Sequence, residues 1–257
     1  MTRKHHGRVI DTSVRLKASP MKAWEAWADP QQIANWFVDR AEGKAEAGAP
    51  MKWFFEAFNM ELPVPIVEAE PGRTFVTGSG PHPGPNGLPY LMEITITKDG
   101  DETVMNLVNS GFSEAPDKDR SFKDTESGWQ CALMSLKVWI ERYPSLTRKR
   151  TIAMRPAAHT PARLHDLYST AEGRRQWLPP DFPVDGEVLV DTGTEVVLDW
   201  PAERAVLGLK SFAMGPQLMV ALDLSVWSAS PPVEESADTA DRAARMNRAL
   251  DRLVALG

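Results

Sequence analysis

A chain of 257 residues and 28.5 kDa exceeds the usual single domain of roughly 100–150 residues, so two ordinary domains are expected. Hydrophobic residues at 42% and charged residues at 25% exclude disordered, collagen-like and mucin-like chains. A formal charge of −6 supplies no basic field for a phosphate backbone, and apolar runs of a few residues fall far short of the roughly 20 that cross a bilayer, so neither nucleic acid nor membrane is expected as a partner. Cys131 is the single cysteine and the N-terminus carries no apolar secretion stretch, which together point to the cytoplasm.

Ile10, Thr12, Val14 and Leu16 alternate as a strand. Ser19-Pro20 and Asp29-Pro30 each combine a capping oxygen with a proline suited to a first helical position, so two short helices follow. Trp24 and Trp27 share one face of the first; Ile33, Trp36 and Phe37 share one face of the second. Further strands are expected near Pro50–Phe58, Val64–Glu70, Arg73–Gly78, Tyr90–Thr97 and Thr103–Ser110, with Asp99-Gly100 as a hairpin turn. Gly78–Gly87 lacks the lysine and following helix of a phosphate cradle and reads as a mobile loop over a cavity mouth. Trp129, Leu133, Leu136, Ile140 and Tyr143 keep helical rhythm until Pro144 halts it.

The order then begins again. Ser145–Arg150 reads as a short basic link, followed by a poorer strand, Thr151–Met154, and by helix starts at Thr160-Pro161 and Thr170. Strands are expected at Glu187–Asp191, Glu195–Trp200, Ala205–Phe212 and Gln217–Trp227. After an acidic loop, Ser228–Ser236, a closing helix from about Thr239 carries Ala243, Met246, Leu250 and Leu253. Trp36 and Trp177 stand at a lag of 141 (177−36), as do Pro20 and Pro161. Leu136 and Leu250 stand only 114 apart (250−136), so a second copy would have lost 27 residues from its sheet and loops (141−114).

Three separated motifs carry a resemblance: Val14-Arg15-Leu16-x-Ala18-Ser19-Pro20-x-x-x-Trp24-x-x-Trp27-x-Asp29-Pro30-x-x-Ile33-x-x-Trp36-Phe37, then Asn109-Ser110-Gly111-Phe112, then Gly128-Trp129. Over residues 8–143 the chain resembles the activator of heat-shock protein 90 ATPase homologue-like family, of the START-like or SRPBCC superfamily. The resemblance implies an α+β chain of two helix-grip domains, each a curved antiparallel sheet wrapped around a long C-terminal helix. They would span 1–146, with a ligand cavity, and 147–257, a diverged and shortened second copy that lacks the Ser-Gly-Phe and Gly-Trp motifs.

Alternation assigns the cavity wall. Met51, Trp53, Phe55 and Ala57 face inward against Lys52 and Glu56. Met92, Ile94 and Ile96 face inward on the next strand considered, and Met105, Leu107 and Asn109 on another. Trp129, Leu133 and Leu136 would cover the wall from the long helix, with Trp36 and Phe37 at the entrance. The expected ligand-binding set is therefore Trp36, Phe37, Trp53, Phe55, Met92, Ile94, Met105, Leu107, Asn109, Trp129, Leu133 and Leu136. The same residues would also suit a filled core, and Asn109 could equally cap a strand end. No catalytic residue, metal ligand or cofactor is expected. The five histidines lack metal-ligand spacing, and His165 reads as a helix-face residue aligned with Trp24. The leading expectation is a binding protein for a small hydrophobic molecule, with the second domain structural or for pairing and a homodimer left open. A cyclase/aromatase-like enzyme, with His82 in the loop as the first suspect base, and a heat-shock protein 90 co-chaperone-like protein are the alternatives.

Overall fold

In the computed structural model the first strand, β1 (Arg8–Leu16), buries Ile10, Val14 and Leu16 and exposes Val9, Asp11, Ser13 and Arg15. Residues 3–83, 88–229 and 237–257 are described, and the chain divides into two units, Met1–Pro144 and Ser145–Gly257. In the first unit, the Ser19 hydroxyl accepts from the Lys22 amide and starts α1 (Pro20–Ala28). Asp29 ends that helix by donating its backbone N–H to the Glu25 carbonyl, and its carboxylate accepts from the Gln31 amide to start α2 (Pro30–Ile33). One residue thus makes the elbow between two helices.

Six more strands follow: β2 (Arg40–Gly43), β3 (Pro50–Phe55), β4 (Met60–Glu70), β5 (Thr74–Pro83), β6 (Pro89–Asp99) and β7 (Glu102–Phe112). They form an antiparallel sheet of order β1-β7-β6-β5-β4-β3-β2, against which α3 (Asp119–Arg142) packs. The second unit repeats the order with one hairpin fewer: β8 (Thr147–Pro156), α4 (Pro161–Ser169), α5 (Ala171–Arg175), β9 (Val188–Asp191), β10 (Glu195–Trp200), β11 (Ala205–Met214), β12 (Gln217–Ser228) and α6 (Ala237–Val254). Its sheet runs β8-β12-β11-β10-β9. In both sheets the first strand pairs with the last, so removing an interior hairpin shortens the sheet without disturbing the docking of the closing helix. Both units are helix-grip folds and the chain is α+β.

Several sequence expectations are corrected. β2 was not anticipated, because four residues of mixed polarity carry no alternation. The second inward strand stops at Phe55, and Ala57 is exposed in the 3₁₀ turn Glu56–Phe58 that follows. α3 starts ten residues before Trp129, since Phe122 packs edge-on to Phe112 at 5.3 Å and lies under the Arg8 guanidinium at 4.6 Å. The expected loop at Gly78–Gly87 is strand as far as Pro83, with His82 exposed at its end; residues 84–87 lie outside the described residues. Of the acidic loop Ser228–Ser236, residues 230–236 likewise lie outside them.

The basic run Arg148-Lys149-Arg150 is not a link, because it lies within β8. Arg150 donates to both oxygens of Asp223, at 2.9 and 2.7 Å, and Lys210 bridges Asp223 at 3.2 Å and Glu195 at 2.7 Å. The chain of charges crosses β8, β12, β11 and β10. Burial pushes the Asp223 carboxyl up, but Arg150, Lys210 and Arg148 outweigh it and hold the group well below the usual carboxylate range. Asp223→Ala should therefore destabilise the protein by about 3–5 kcal/mol at neutral pH, because Arg150 loses its two-point carboxylate partner in a buried setting and Lys210 keeps only Glu195. A carboxyl with a depressed folded pKa stabilises above its unfolded value of about 4, and that contribution is lost as the pH falls further. Urea melts of both proteins at pH 7 and pH 3 check this: the gap should narrow at the lower pH, and coincident midpoints at pH 7 would refute the network's role.

Candidate functional site

Register places the inward residues of the first sheet in rows. Ile10, Asn109, Met92, Thr77 and Ile66 are successive cross-strand partners from β1 to β4; Thr12, Leu107, Ile94 and Phe75 form the next row, and Val14, Met105 and Ile96 the one after. Alternation along β6 adds Tyr90 to the same face as Met92, one step beyond the Asn109 row. Burial pushes the Tyr90 phenol above the ordinary tyrosine value. Gly111, next to these positions, has φ +100, and a Cβ there would meet the Pro89 carbonyl oxygen at 2.9 Å. The Ser-Gly-Phe motif therefore needs its glycine for the close approach of β6 to β7.

Seven rings gather over this face. Trp27, fully buried, has Trp36 at 4.8 Å edge-on, Trp129 at 6.0 Å, Phe37 and Phe75 at 6.1 Å, and Trp53 at 6.3 Å. Its indole N–H points to the Met105 sulfur at 2.9 Å. Phe37 stacks on Trp129 at 5.1 Å and meets Trp53 and Phe55 edge-on at 5.4 and 5.6 Å. Offset and edge arrangements of this kind add about 0.5–1.5 kcal/mol per pair beyond their buried area.

The structure divides the expected site residues into three groups. Met92, Ile94, Met105, Leu107, Leu133 and Leu136 are fully buried and form the floor and the helix side. Phe37, Trp53, Phe55 and Trp129 form the ring cluster, with Phe37 and Phe55 half-buried. Trp36, expected at the entrance, is instead 1% exposed and donates its indole N–H to the Ala26 carbonyl at 2.8 Å, which locks α2 onto α1. Asn109, expected to present a free polar group, is engaged within the protein: its Oδ1 accepts from Trp129 Nε1 at 3.0 Å and its Nδ2 donates to the Leu91 carbonyl at 3.2 Å. It holds the ring of α3 against β6 and β7.

Two polar groups on the same face are not engaged. Trp53 Nε1 and Thr77 Oγ1 are buried and have no hydrogen-bond partner, in residues that are 4% and 2% exposed. Sequence reasoning named Trp53 for its ring but missed Thr77, Tyr90, Phe75 and the central place of Trp27. The signal for Thr77 and Tyr90 was available in the register, but only once β5 was paired with β6. Among the described residues no group of three His, Cys, Asp or Glu is placed to hold a metal ion. His82, the suspect base, is exposed and its carbonyl accepts from the Ser79 hydroxyl at 2.6 Å. Among the described residues no helix is long and apolar enough to cross a membrane.

Residues 17–141 match the family model described as Activator of Hsp90 ATPase homolog 1-like protein. Through its N-terminal unit the chain is similar to this family. The match to the Activator of Hsp90 ATPase homolog 1-like family begins just after β1 and takes in the helix elbow, strands β2 to β7 and nearly all of α3. Similar solved structures include the Aha1 dimer from Colwellia psychrerythraea, 18% identical, covering 52% of this chain and 97% of that one with a TM-score of 0.47. A Mesorhizobium loti protein is 22% identical over 53% of this chain and 98% of its own, TM-score 0.46. DynU16, from the dynemicin biosynthetic locus, is 15% identical over 96% of this chain and 98% of its own, TM-score 0.45. No curated protein matches the sequence.

Asn109→Leu should cost about 1–3 kcal/mol, because it strands the Trp129 N–H and the Leu91 carbonyl in a buried setting. With Trp129→Phe in addition, the combined loss should be smaller than the sum of the single losses. Chemical melts of the two single variants and the double variant measure this coupling; strictly additive losses would mean that the bond does no work.

Proposed function

We propose that the N-terminal unit binds a small, largely apolar molecule bearing one hydrogen-bond acceptor, seated against Phe37, Trp53, Phe55 and Trp129 over the floor of Met92, Ile94, Met105 and Leu107. The observation that carries this reading is the pair of buried, unpartnered polar groups, Trp53 Nε1 and Thr77 Oγ1, on the largely apolar inward face of the first sheet. Leaving a buried donor unpaired costs about 1–3 kcal/mol, and natural structures rarely accept that without a use. An indole N–H donates only, so the complementary group on the ligand is an oxygen or nitrogen acceptor. An apolar wall with few placed polar groups is the usual chemistry of a small-molecule site. Among the described residues of this face the titratable side chain is the Tyr90 phenol, which burial holds protonated, and the proposal is one of binding.

The second unit is, in this proposal, a diverged tandem copy. Its support is local and physical. Trp177 donates its indole N–H to the Leu167 carbonyl at 3.1 Å, as Trp36 does to Ala26, and each pair stands at the same lag as the two tryptophans. Thr160 caps α4 from the Arg163 amide as Ser19 caps α1 from Lys22. In each unit a 3₁₀ turn ends on a left-handed residue, Asn59 or Arg204. A lone buried cysteine fits a reducing, cytoplasmic setting.

The binding reading is tested by titrating the whole protein with a neutral naphthyl ketone whose fluorescence reports burial, beside the matching alkylnaphthalene. The ketone should bind more tightly, and Trp53→Phe should remove its advantage, a loss of about 0.5–1.5 kcal/mol for one neutral hydrogen bond. Leu107→Trp, which fills the floor, should weaken both ligands at least about tenfold, or 1.4 kcal/mol. Equal affinity of the two ligands, or no effect of Leu107→Trp in a stably folded variant, would refute the proposed site.

A further inference from the structure

At one end of the second unit's sheet lies an open groove of about 710 Å³, within the range of roughly 300–1,000 Å³ usual for small-molecule sites. One wall is the segment joining α5 to β9; the other is the end of β10 with its 3₁₀ turn, and α6 contributes Arg252. Phe182 and Trp200 both line it and pack against each other, tilted, with ring centroids 5.7 Å apart. Leu178, Phe182 and Val184 are buried and make the floor apolar, while Trp200 is half-buried.

The wall is set by arginines that lie in or behind it. Arg174, 3% exposed, donates its Nε to the Val184 carbonyl and one terminal nitrogen to the Tyr168 carbonyl, both at 2.7 Å. Arg175 pairs with Asp185. Arg245 pairs with Asp181 at 2.7 Å and lies 5.2 Å over the Phe182 ring. Gly186 approaches the opposite strand so closely that a Cβ would meet the Asp199 carbonyl oxygen at 2.7 Å. At the lag of 141 Arg174 replaces Ile33, a core residue of the first unit. The second unit thus spends a buried cation on fixing the groove wall, and a preformed wall lowers the ordering cost of binding.

The charges lining the groove choose the ligand. Arg175 is occupied by Asp185 and Asp199 is buried. Among the described residues neither Arg252 nor Glu187 has an ion-pair partner, and both are exposed at the groove. A ligand with one charge is attracted by one of these groups and repelled by the other; a ligand with both charges satisfies both, and guanidinium matches carboxylate in a two-point geometry. We propose that the groove binds small zwitterions with an aromatic or aliphatic side chain, of the amino-acid or dipeptide type, with the carboxylate at Arg252, the ammonium at Glu187 and the side chain on Phe182 and Trp200. This does not depend on the ligand reading of the first unit.

The test is calorimetric titration of the whole protein with phenylalanine, phenethylamine and 3-phenylpropionate, which share a ring and differ in charge. Phenylalanine should bind at least about fivefold more tightly than either analogue, and should shift the Trp200 indole N–H resonance. Arg252→Ala should abolish its advantage over phenethylamine, and Glu187→Gln its advantage over 3-phenylpropionate. Because both side chains are exposed, the unfolding midpoints of the variants should stay at the wild-type value. Trp53→Phe should leave these titrations unchanged, which separates this groove from the first unit's site. Absence of binding at millimolar phenylalanine, equal affinity for the three compounds, or insensitivity to both substitutions would overturn the proposal.

Discussion

The burial of Trp27 is the contact on which the first unit depends. Its indole lies where α1, the α2 elbow, the sheet and α3 converge, and it touches a ring from each: Phe37 and Trp36 beyond α2, Trp53 and Phe75 from the sheet, Trp129 from α3. The N–H at the Met105 sulfur fixes which way the ring points. A ring so surrounded cannot rotate without displacing three elements at once, so the helix pair has one seat on the sheet. The direction of Phe37 follows from that seat, and with it the stack on Trp129 and the edge contacts to Trp53 and Phe55.

The elbow is the second constraint. A short helix of four residues has no stability of its own, because nucleation costs more than one turn repays. Asp29 closes one helix and opens the next, and the Trp36 N–H to the Ala26 carbonyl staples the segment after the elbow back onto α1. The second unit has a similar device in Thr170 and Trp177, with Arg174 and His165 at the positions that stand 141 residues after Ile33 and Trp24. There the two residues have partners of their own: Arg174 takes two carbonyls, and His165 meets the Asp191 carboxylate at 2.9 Å. Similar element orders therefore carry a ring-covered sheet face in one unit and a groove walled by arginine contacts in the other.

Alternation and capping made much of this legible. Apolar residues at every second position can bury only one face of a strand, so the inward sets on β6 and β7, and on β3 as far as Phe55, followed from the alternation, and Lys52 and Glu56 are exposed as their charge requires. Ser19-Pro20, Asp29-Pro30 and Thr160-Pro161 announced their helices because the capping oxygen and the missing proline N–H act within one turn. The Trp129-to-Tyr143 rhythm revealed the closing helix for a related reason, since its stripe faces one partner surface throughout.

Features that depend on partners far along the chain were decided only in three dimensions. The start of α3 ahead of Trp129 depends on Phe122 meeting Phe112 and Arg8, and the basic run at Arg148 read as a link until Arg150 meets Asp223, 73 residues away. Asn109 could be placed on the concave face from sequence, yet its hydrogen bond to Trp129 joins strand to helix and depends on the angle at which α3 crosses the sheet. The unpaired state of Trp53 Nε1 and Thr77 Oγ1, and the lack of an ion-pair partner for Arg252 and Glu187 among the described residues, are properties of what is not within reach. The sequence by itself determined which residues face inward and where the chain turns, because those follow from local periodicity and capping. Which polar groups remain free for a ligand was settled by tertiary packing, because a hydrogen bond is satisfied or left open by ångström-scale distances between segments that sequence order does not specify.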